Sequence, residues 1–289
     1  MAAPNFTGDG QQKTLEDLFC SPDSSAGLHG HLKFLSVLNS FLSVTAILGN
    51  ALILIALRKE SSLHPPSKLL LRNLATTDLC VGLISQPLTV IFWMSATSEH
   101  WNICPFAFAA CFISSYIFSG VSVLTLTAIS ADRLLALVLG LRYRQVVTLK
   151  RTYVIVFTLW LFSAGISATY FWNLFITYWY GIIGISLCLI ISIFSYTKIF
   201  HTLHQQNQVR QGHVQQPNQT NQLNMARYKK AVSSAIWLQL TLVACYLPHG
   251  IVAPLFVESG LFSSSFYHAT NYTITLVYLN SSLNPILYC

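Results

Sequence analysis

The chain has 289 residues, of which 53% are hydrophobic and only 9% are charged, and its formal net charge is +7. Soluble globular domains carry about 25% charged residues, so this composition argues against a soluble fold and indicates that most of the chain lies in lipid. The length alone would suggest about two domains, but a bundle of membrane-spanning helices is one unit.

Seven mainly apolar stretches follow a polar N-terminal segment, residues 1–33, in which no signal peptide is visible. Each stretch reaches the length of about 20 residues that a helix needs to cross a bilayer. We therefore predict an all-α membrane protein, a bundle of seven transmembrane helices within residues 34–289. The predicted spans are residues 34–57, 68–93, 103–139, 151–172, 177–203, 225–256 and 267–289.

The basic residues set the orientation of this bundle. Of the 16 Lys and Arg residues, only Lys13 and Lys33 lie on the N-terminal side. Cytoplasmic loops carry the excess of positive charge, so the N-terminus is predicted to be outside the cell. Asn5 heads an Asn-Phe-Thr sequon there and is a predicted glycosylation site. Cys20 and Cys104 are the only cysteines expected at this oxidising surface, so they pair or remain two free thiols.

Two connections between predicted spans differ from the rest. Only residues 173–176 link the fourth and fifth spans. One long hairpin is therefore an alternative there, although the combined run is too long for one crossing. Residues 204–224 are rich in Gln and Asn. Because they cannot bury apolar surface, they are predicted to be a disordered third cytoplasmic loop.

Two acidic residues lie inside the predicted spans, Asp78 at mid-depth of the second and Asp132 near the inner end of the third. A charge at the centre of a membrane helix costs about 2.5–3.5 kcal/mol on insertion scales, and such residues usually serve a function. The alternative for Asp78 is a neutral, hydrogen-bonded acid that only joins helices.

Short motifs occur on all the predicted spans, and each is weak evidence alone. In chain order they are Gly49-Asn50, Asn73-Leu74 with Asp78, Asp132-Arg133-Leu134, Trp160, Tyr196, Cys245-Tyr246-Leu247-Pro248 and Asn284-Pro285-Ile286-Leu287-Tyr288. Together, and in this order, they are specific. Across residues 34–289 the chain resembles the rhodopsin-like (class A) G-protein-coupled receptors.

The resemblance implies a plasma-membrane receptor that binds an extracellular ligand and activates a heterotrimeric G protein. It implies no enzymatic activity, no nucleic-acid partner and no cofactor apart from an allosteric sodium ion. The sodium ligands would be Asp78, Ser122, Asn280, Ser281 and Asn284. A water-filled polar network of the same residues is the alternative.

The resemblance also implies an activation switch in which Arg133 pairs with Asp132 at rest and turns toward the G protein in the active state. Its other members would be Tyr196, Pro248, Pro285 and Tyr288. The alternatives are an interfacial arginine that reaches toward water and prolines that form static kinks.

The chain departs from the family pattern at several positions. Leu134, Tyr246 and Cys188 replace the usual tyrosine, tryptophan and proline, and the second outer loop has no cysteine. These features resemble the melanocortin, adenosine and cannabinoid-like branch. The sequence ends at Cys289 without the family's eighth helix and C-terminal tail, so we expect it to be truncated.

The expected ligand pocket has an uncharged, hydroxyl-rich lining. Amine receptors carry an aspartate where Ser115 stands, opsins a lysine where Tyr278 stands, and adenosine receptors an asparagine where Ala253 stands. The predicted ligand-binding residues are Ser115, Tyr116, Ser119, Tyr246, His249 and Tyr278. They would suit a neutral small molecule or lipid better than a peptide. Plain helix packing is the alternative for each of them.

A transporter or channel is the competing function. Transport would require charged residues along a continuous path, whereas Asp78 is the only acid at mid-depth. The same observation removes a two-aspartate intramembrane protease from consideration.

Overall fold

The computed structural model describes residues 19–20, 29–61, 63–212, 237, 240–253, 255 and 264–288. All regular structure in these residues is helical, which confirms the predicted seven-helix bundle. The helices are α1 His29–Lys59, α2 Pro65–Thr97, α3 Cys104–Leu139, α4 Leu149–Ala168, α5 Leu174–Gly212, α6, described over Leu240–Ala253, and α7 Ser264–Tyr288.

Local sequence explains where several of these helices begin and end. Proline lies in the first turn of both α2 and α3, where its missing N–H has no partner to lose. Thr148 caps α4 by accepting the backbone N–H of Arg151 on its hydroxyl oxygen. Gly140 ends α3 with a φ of 51°, in the left-handed region that favours glycine.

A π-helical turn, Val81–Ser85, interrupts α2. Pro87 follows it and has no N–H to donate to the carbonyl of Leu83, so regular α-helical bonding fails in this turn. Polar side chains of α1 bond the carbonyls around it: Ser43 donates to Gly82 at 2.7 Å, and Asn39 donates to Gln86 at 3.0 Å. The widened turn is therefore fastened to α1.

The bundle buries polar groups and exposes apolar ones, as expected for a protein surrounded by lipid. Five of the described helices, α1 to α5, are long and apolar enough to cross a bilayer. Large apolar side chains such as Phe41, Phe157 and Ile190 point outward, while Asn50 and Asp78 are fully buried.

α3 lies at the centre and contacts α2, α4 and α5, while α1 packs against α2 and α7. Asn73 of α2 donates to Thr125 of α3 at 2.8 Å and accepts from the indole of Trp160 of α4 at 3.0 Å. A Cβ on Gly49 would lie 2.6 Å from Cγ of Pro285, so the contact between α1 and α7 requires glycine.

The structure corrects some predicted boundaries. α1 begins at His29, inside the predicted N-terminal segment. α5 continues to Gly212, so residues 204–212 are helical where disorder was predicted. The prediction weighed only the lack of apolar residues, whereas Gln and Arg are good helix formers. Residues 213–224 and most of 225–239 lie outside the described residues. α4 and α5 are separate helices, joined by a short link that contains the 3-10 turn Thr169–Phe171.

Candidate functional site

Asp78 is the centre of a buried polar cluster that joins three helices. Its Oδ1 accepts hydrogen bonds from Ser122 of α3 and Ser281 of α7, each at 2.8 Å. Its Oδ2 accepts from the side-chain amide of Asn284 at 2.7 Å. Four of the five predicted sodium ligands are therefore in direct contact, and Asp78 has no exposed surface.

Asn280, the fifth predicted ligand, is also fully buried, but neither polar atom of its side chain has a hydrogen-bond partner. The Oδ1 of Asn284 is unpartnered as well. A buried polar atom without a partner costs about 1–3 kcal/mol, so such atoms call for a ligand or water. Neutral oxygens beside a carboxylate are the donors that hard cations prefer, so these residues fit a sodium ion.

Asn50 is a member of this cluster that the sequence prediction did not include. Pro285 has no N–H, so the carbonyl of Ser281 four residues earlier loses its helical partner. Asn50 donates its side-chain amide to that carbonyl at 3.0 Å and to the carbonyl of Ala46 at 2.9 Å. A buried asparagine in an apolar span was the available signal for this role.

The structure gives Asp132 hydrogen-bond partners that the sequence prediction did not include. Asp132 accepts from Ser67 of α2 at 2.8 Å and from the hydroxyl of Tyr143 at 2.6 Å. Among the residues that the structure describes, Asp132 forms no ion pair. Neutral donors from two other elements each bond one of its carboxylate oxygens.

Tyr143 lies in a one-turn helix, Tyr143–Val146, on the cytoplasmic side. Burial, followed by its hydrogen bond to Asp132, raises the pKa of Tyr143 to about 12. The phenol therefore remains a hydrogen-bond donor at neutral pH. This interaction could not be predicted from the α3 motif, because its donor follows the helix by several residues.

The other predicted switch residues occupy the expected helices. Tyr196 of α5 is buried. Pro248 and Pro285 lie inside α6 and α7, which continue through them. The side chain of Tyr288 and the sequon residue Asn5 lie outside the described residues.

The six predicted ligand-binding residues all line one cavity of about 180 Å³. It lies between α2, α3, α4, α5, α6 and α7. Ser115 and Tyr278 share a hydrogen bond of 2.6 Å at its floor, and the Tyr278 hydroxyl also lies 2.8 Å from that of Thr89. The remaining predicted members are Tyr116, Ser119, Tyr246 and His249.

The cavity wall is aromatic and uncharged. Phe112 and Tyr116 stack with ring centroids 4.4 Å apart, and Tyr178 approaches Phe112 at 6.2 Å. None of the lining residues in the described part of the chain is Asp, Glu, Lys or Arg. Such a wall binds through apolar contact and a few hydroxyls, and it offers no counter-ion to a charged ligand.

An N-terminal aromatic residue, missed by the sequence prediction, lines the outer end of the cavity. The structure joins Cys20 to Cys104 by a disulfide, with Cα atoms 5.8 Å apart. The neighbouring Phe19 lines the cavity, stacks on Phe108 at 4.9 Å and contacts Tyr267 at 5.3 Å. Phe19 is only 6% exposed, so the tether holds a ring over the bundle.

Comparison with known proteins supports this architecture. The sequence pattern of the family described as "7 transmembrane receptor (rhodopsin family)" matches residues 49–173 and 165–288.

Similar curated proteins are themselves receptors. Adenosine receptor A3 of Canis lupus familiaris is 24% identical over 282 residues, covering 86% of this chain and 83% of that protein. Adenosine receptor A2b of Rattus norvegicus is 32% identical over 134 residues, covering 46% and 39%. Muscarinic acetylcholine receptor M3 of Rattus norvegicus is 31% identical over 165 residues, covering 55% and 28%.

Proposed function

The chain belongs to the rhodopsin family of seven-transmembrane receptors, and on that premise we propose that a neutral small molecule or lipid activates it from the cavity beneath Phe19. As a family member it is a multi-pass receptor of the plasma membrane that binds an extracellular ligand and couples to G proteins, and it is not an enzyme. We propose further that its partner is a heterotrimeric G protein and that it binds a sodium ion.

The uncharged cavity carries the ligand proposal. Acetylcholine is a cation, and Ser115 and Tyr278 offer no carboxylate to hold it. Adenosine is neutral, but Ala253 lines the cavity where the resemblance to adenosine receptors implies an asparagine. An unpaired polar group on the ligand weakens binding, because it loses water without gaining a partner. An apolar ligand with a hydroxyl or carbonyl group fits this lining best.

The cluster at Asp78 supports the proposed sodium ion. The carboxylate of Asp78, the hydroxyls of Ser122 and Ser281, and the amide oxygens of Asn280 and Asn284 would hold it. Sodium would supply a positive charge that compensates the buried carboxylate. The unpartnered amide oxygens of Asn280 and Asn284 are available to a sodium ion, and water in a polar network of the same residues is the alternative.

The cytoplasmic cluster supports the proposed action of Arg133 on the heterotrimeric G protein. Ser67 and Tyr143 hold Asp132 through neutral hydrogen bonds. Arg133 therefore follows, in the sequence, an aspartate whose carboxylate already accepts two hydrogen bonds. It needs to break no ion pair with Asp132 before it turns toward a partner.

Ligand-stimulated binding of a non-hydrolysable GTP analogue to purified heterotrimeric G protein tests the proposal. The reconstituted receptor is exposed to three panels: neutral lipids, neutral small molecules and cationic amines. We expect stimulation from one of the neutral panels and a loss of at least tenfold in potency in Ser115→Ala. Stimulation by amines alone, or by adenosine with unchanged potency in Ser115→Ala, would contradict the proposed ligand class.

A further inference from the structure

The cavity has a lateral side that reaches the lipid-facing surface between α4 and α5. Phe162 of α4 and Tyr180 of α5 both line it, yet 54% and 51% of their surfaces are exposed. At 1.5 Å per residue, Phe162 lies about 20 Å along α4 from Leu149, well inside a hydrocarbon core about 30 Å thick. The exposed face of Phe162 therefore meets lipid.

Glycines keep this side open. Gly184 of α5 lines the cavity, and a Cβ there would meet nothing within 4 Å. One turn earlier, a Cβ on Gly181 would lie 2.8 Å from the ring of Tyr116, which places the gap directly beside a predicted ligand contact. A larger side chain at 184 would occupy open space at the wall of the cavity.

Ser163 supplies an unpaired polar group at this side of the cavity. A serine in a membrane helix can donate to the carbonyl four residues earlier, as Ser130 does to Leu126 at 2.9 Å and Ser195 to Ile191 at 2.8 Å. Ser163 is only 3% exposed, lines the cavity and has no hydrogen-bond partner for its hydroxyl. Its hydroxyl is therefore available to a ligand.

An aromatic cluster lies at the outer end of the same cavity. Phe19, held by the neighbouring disulfide, packs on Phe108 of α3 and Tyr267 of α7 there. A molecule arriving from water on this side meets that cluster, whereas a molecule dissolved in the bilayer meets the exposed side of the cavity at Phe162 and Tyr180.

We propose that the cavity takes a neutral single-chain lipid that enters sideways from the bilayer between α4 and α5 and hydrogen-bonds to Ser163 through a hydroxyl or carbonyl group. The proposal rests on the cavity being the ligand site, as argued above. The lining residues fit both the apolar chain and the neutral head group of such a lipid. The aromatic wall packs on the chain, and the absence of charged groups among the described lining residues excludes an ionised head group.

Photolabelling of the full chain in phosphatidylcholine nanodiscs tests this inference without a G protein. The probe is a long-chain fatty alcohol with a diazirine in mid-chain and an alkyne reporter. We expect mass spectrometry to locate labelling on the cavity-lining peptides of α3, α4 and α5. Gly184→Phe should reduce that labelling at least fivefold, and Ser163→Ala at least threefold.

Gly165→Phe is the matched control. Gly165 lies on the exposed face of α4 outside the cavity, and a Cβ there also meets nothing within 4 Å. Its labelling should stay within twofold of the parent chain. Phe19→Ala should leave the initial labelling rate unchanged, because entry does not pass that ring. If Gly184→Phe fails to fold by gel filtration, Gly184→Leu serves in its place.

Three outcomes would overturn the proposal: full cavity labelling in the Gly184 variant, equal loss in Gly184→Phe and Gly165→Phe, or faster labelling in Phe19→Ala. Cavity labelling without stimulated nucleotide exchange would count against the receptor mechanism and leave the entry route standing. Nucleotide exchange stimulated by other ligands, with no cavity labelling, would count against the entry route and leave the receptor mechanism standing.

Discussion

At the scale of single residues, Asp78 is a fully buried acid at the centre of a polar cluster. A carboxylate without exposed surface is tolerated because three side chains from two other helices donate to it. The Oδ1 of Asn280, next to Ser281, has no hydrogen-bond partner and is the oxygen that we propose binds sodium.

Sodium should therefore stabilise the folded receptor, and Asp78→Asn should abolish the effect. At ten times its dissociation constant a bound ion contributes about 1.4 kcal/mol, enough to raise the melting temperature by a few degrees. Melting is compared in sodium and in a bulky organic cation at equal ionic strength. Asp132→Asn is the control and should keep the sodium shift. A full shift in Asp78→Asn would place sodium elsewhere.

Asn50 should stabilise α7 because Pro285 leaves a carbonyl unbonded. Replacing Asn50 with Ala removes the 3.0 Å bond to Ser281 and should cost about 1–3 kcal/mol. In a Pro285→Ala background residue 285 regains its N–H, so the same Asn50 substitution should cost less. Thermal unfolding of the four proteins measures this coupling. Equal costs in both backgrounds would show that Asn50 acts through some other contact.

Tyr143 should influence basal signalling through Asp132. Tyr143→Phe removes the 2.6 Å bond and leaves Oδ1 of Asp132 available to Arg133. A partly exposed ion pair contributes about 0.2–1 kcal/mol, so a new Asp132–Arg133 pair should stabilise the resting state by this amount. Ligand-independent nucleotide exchange should then fall by up to about fivefold. Ser67→Ala should act in the same direction. Increased exchange in Tyr143→Phe at matched surface expression would contradict this.

The members of the Asp78 cluster could be predicted from motifs that lie on three different helices. Asp78, Ser122, Ser281 and Asn284 meet as expected, because each motif fixes its own helix face. The hydrogen bonds from Ser67 and Tyr143 to Asp132 could not be predicted, because these two residues belong to other elements, whose approach depends on tertiary packing. Phe19 was missed for the same reason.

At the scale of elements, the length of the apolar stretches predicted the helices. The irregularities within these helices could be seen only in the structure. Pro87 was visible in the sequence, but the π-helical turn before it depends on Ser43 and Asn39 of α1 bonding the nearby carbonyls. The extension of α5 to Gly212 depends on helix propensity, which a composition-based reading of disorder does not weigh.

The disulfide should hold the N-terminal segment on α3. Peptides containing Cys20 and Cys104 should be recovered cross-linked from non-reduced protein, and Cys20→Ser should make Cys104 alkylatable. A link across 84 residues restricts the unfolded chain, so its loss should lower stability by about 2–4 kcal/mol. Cys111→Ser is the control, since Cys111 is buried and unpaired. Two alkylatable thiols in the parent protein would remove the tether.

At the scale of the whole molecule, the bundle connects an uncharged outer cavity, a buried carboxylate and a cytoplasmic arginine. α3 carries a residue of each site, Ser115, Ser122 and Arg133, and α7 carries Tyr278 and Ser281. A ligand that shifts α3 against α7 would therefore act on all three sites. Such a ligand changes the equilibrium only by the difference between its affinities for the two arrangements.

Arg133 is the residue that we propose transmits activation to a heterotrimeric G protein. The most direct test of this role is the rate of GTP-analogue binding to purified G protein in the presence of reconstituted receptor. We predict that the parent chain accelerates binding, that Arg133→Ala abolishes the acceleration, and that Arg142→Ala, at an exposed cytoplasmic arginine, keeps it within twofold. Equal acceleration by the parent chain and Arg133→Ala, or none by the parent chain with any class of G protein, would contradict the account.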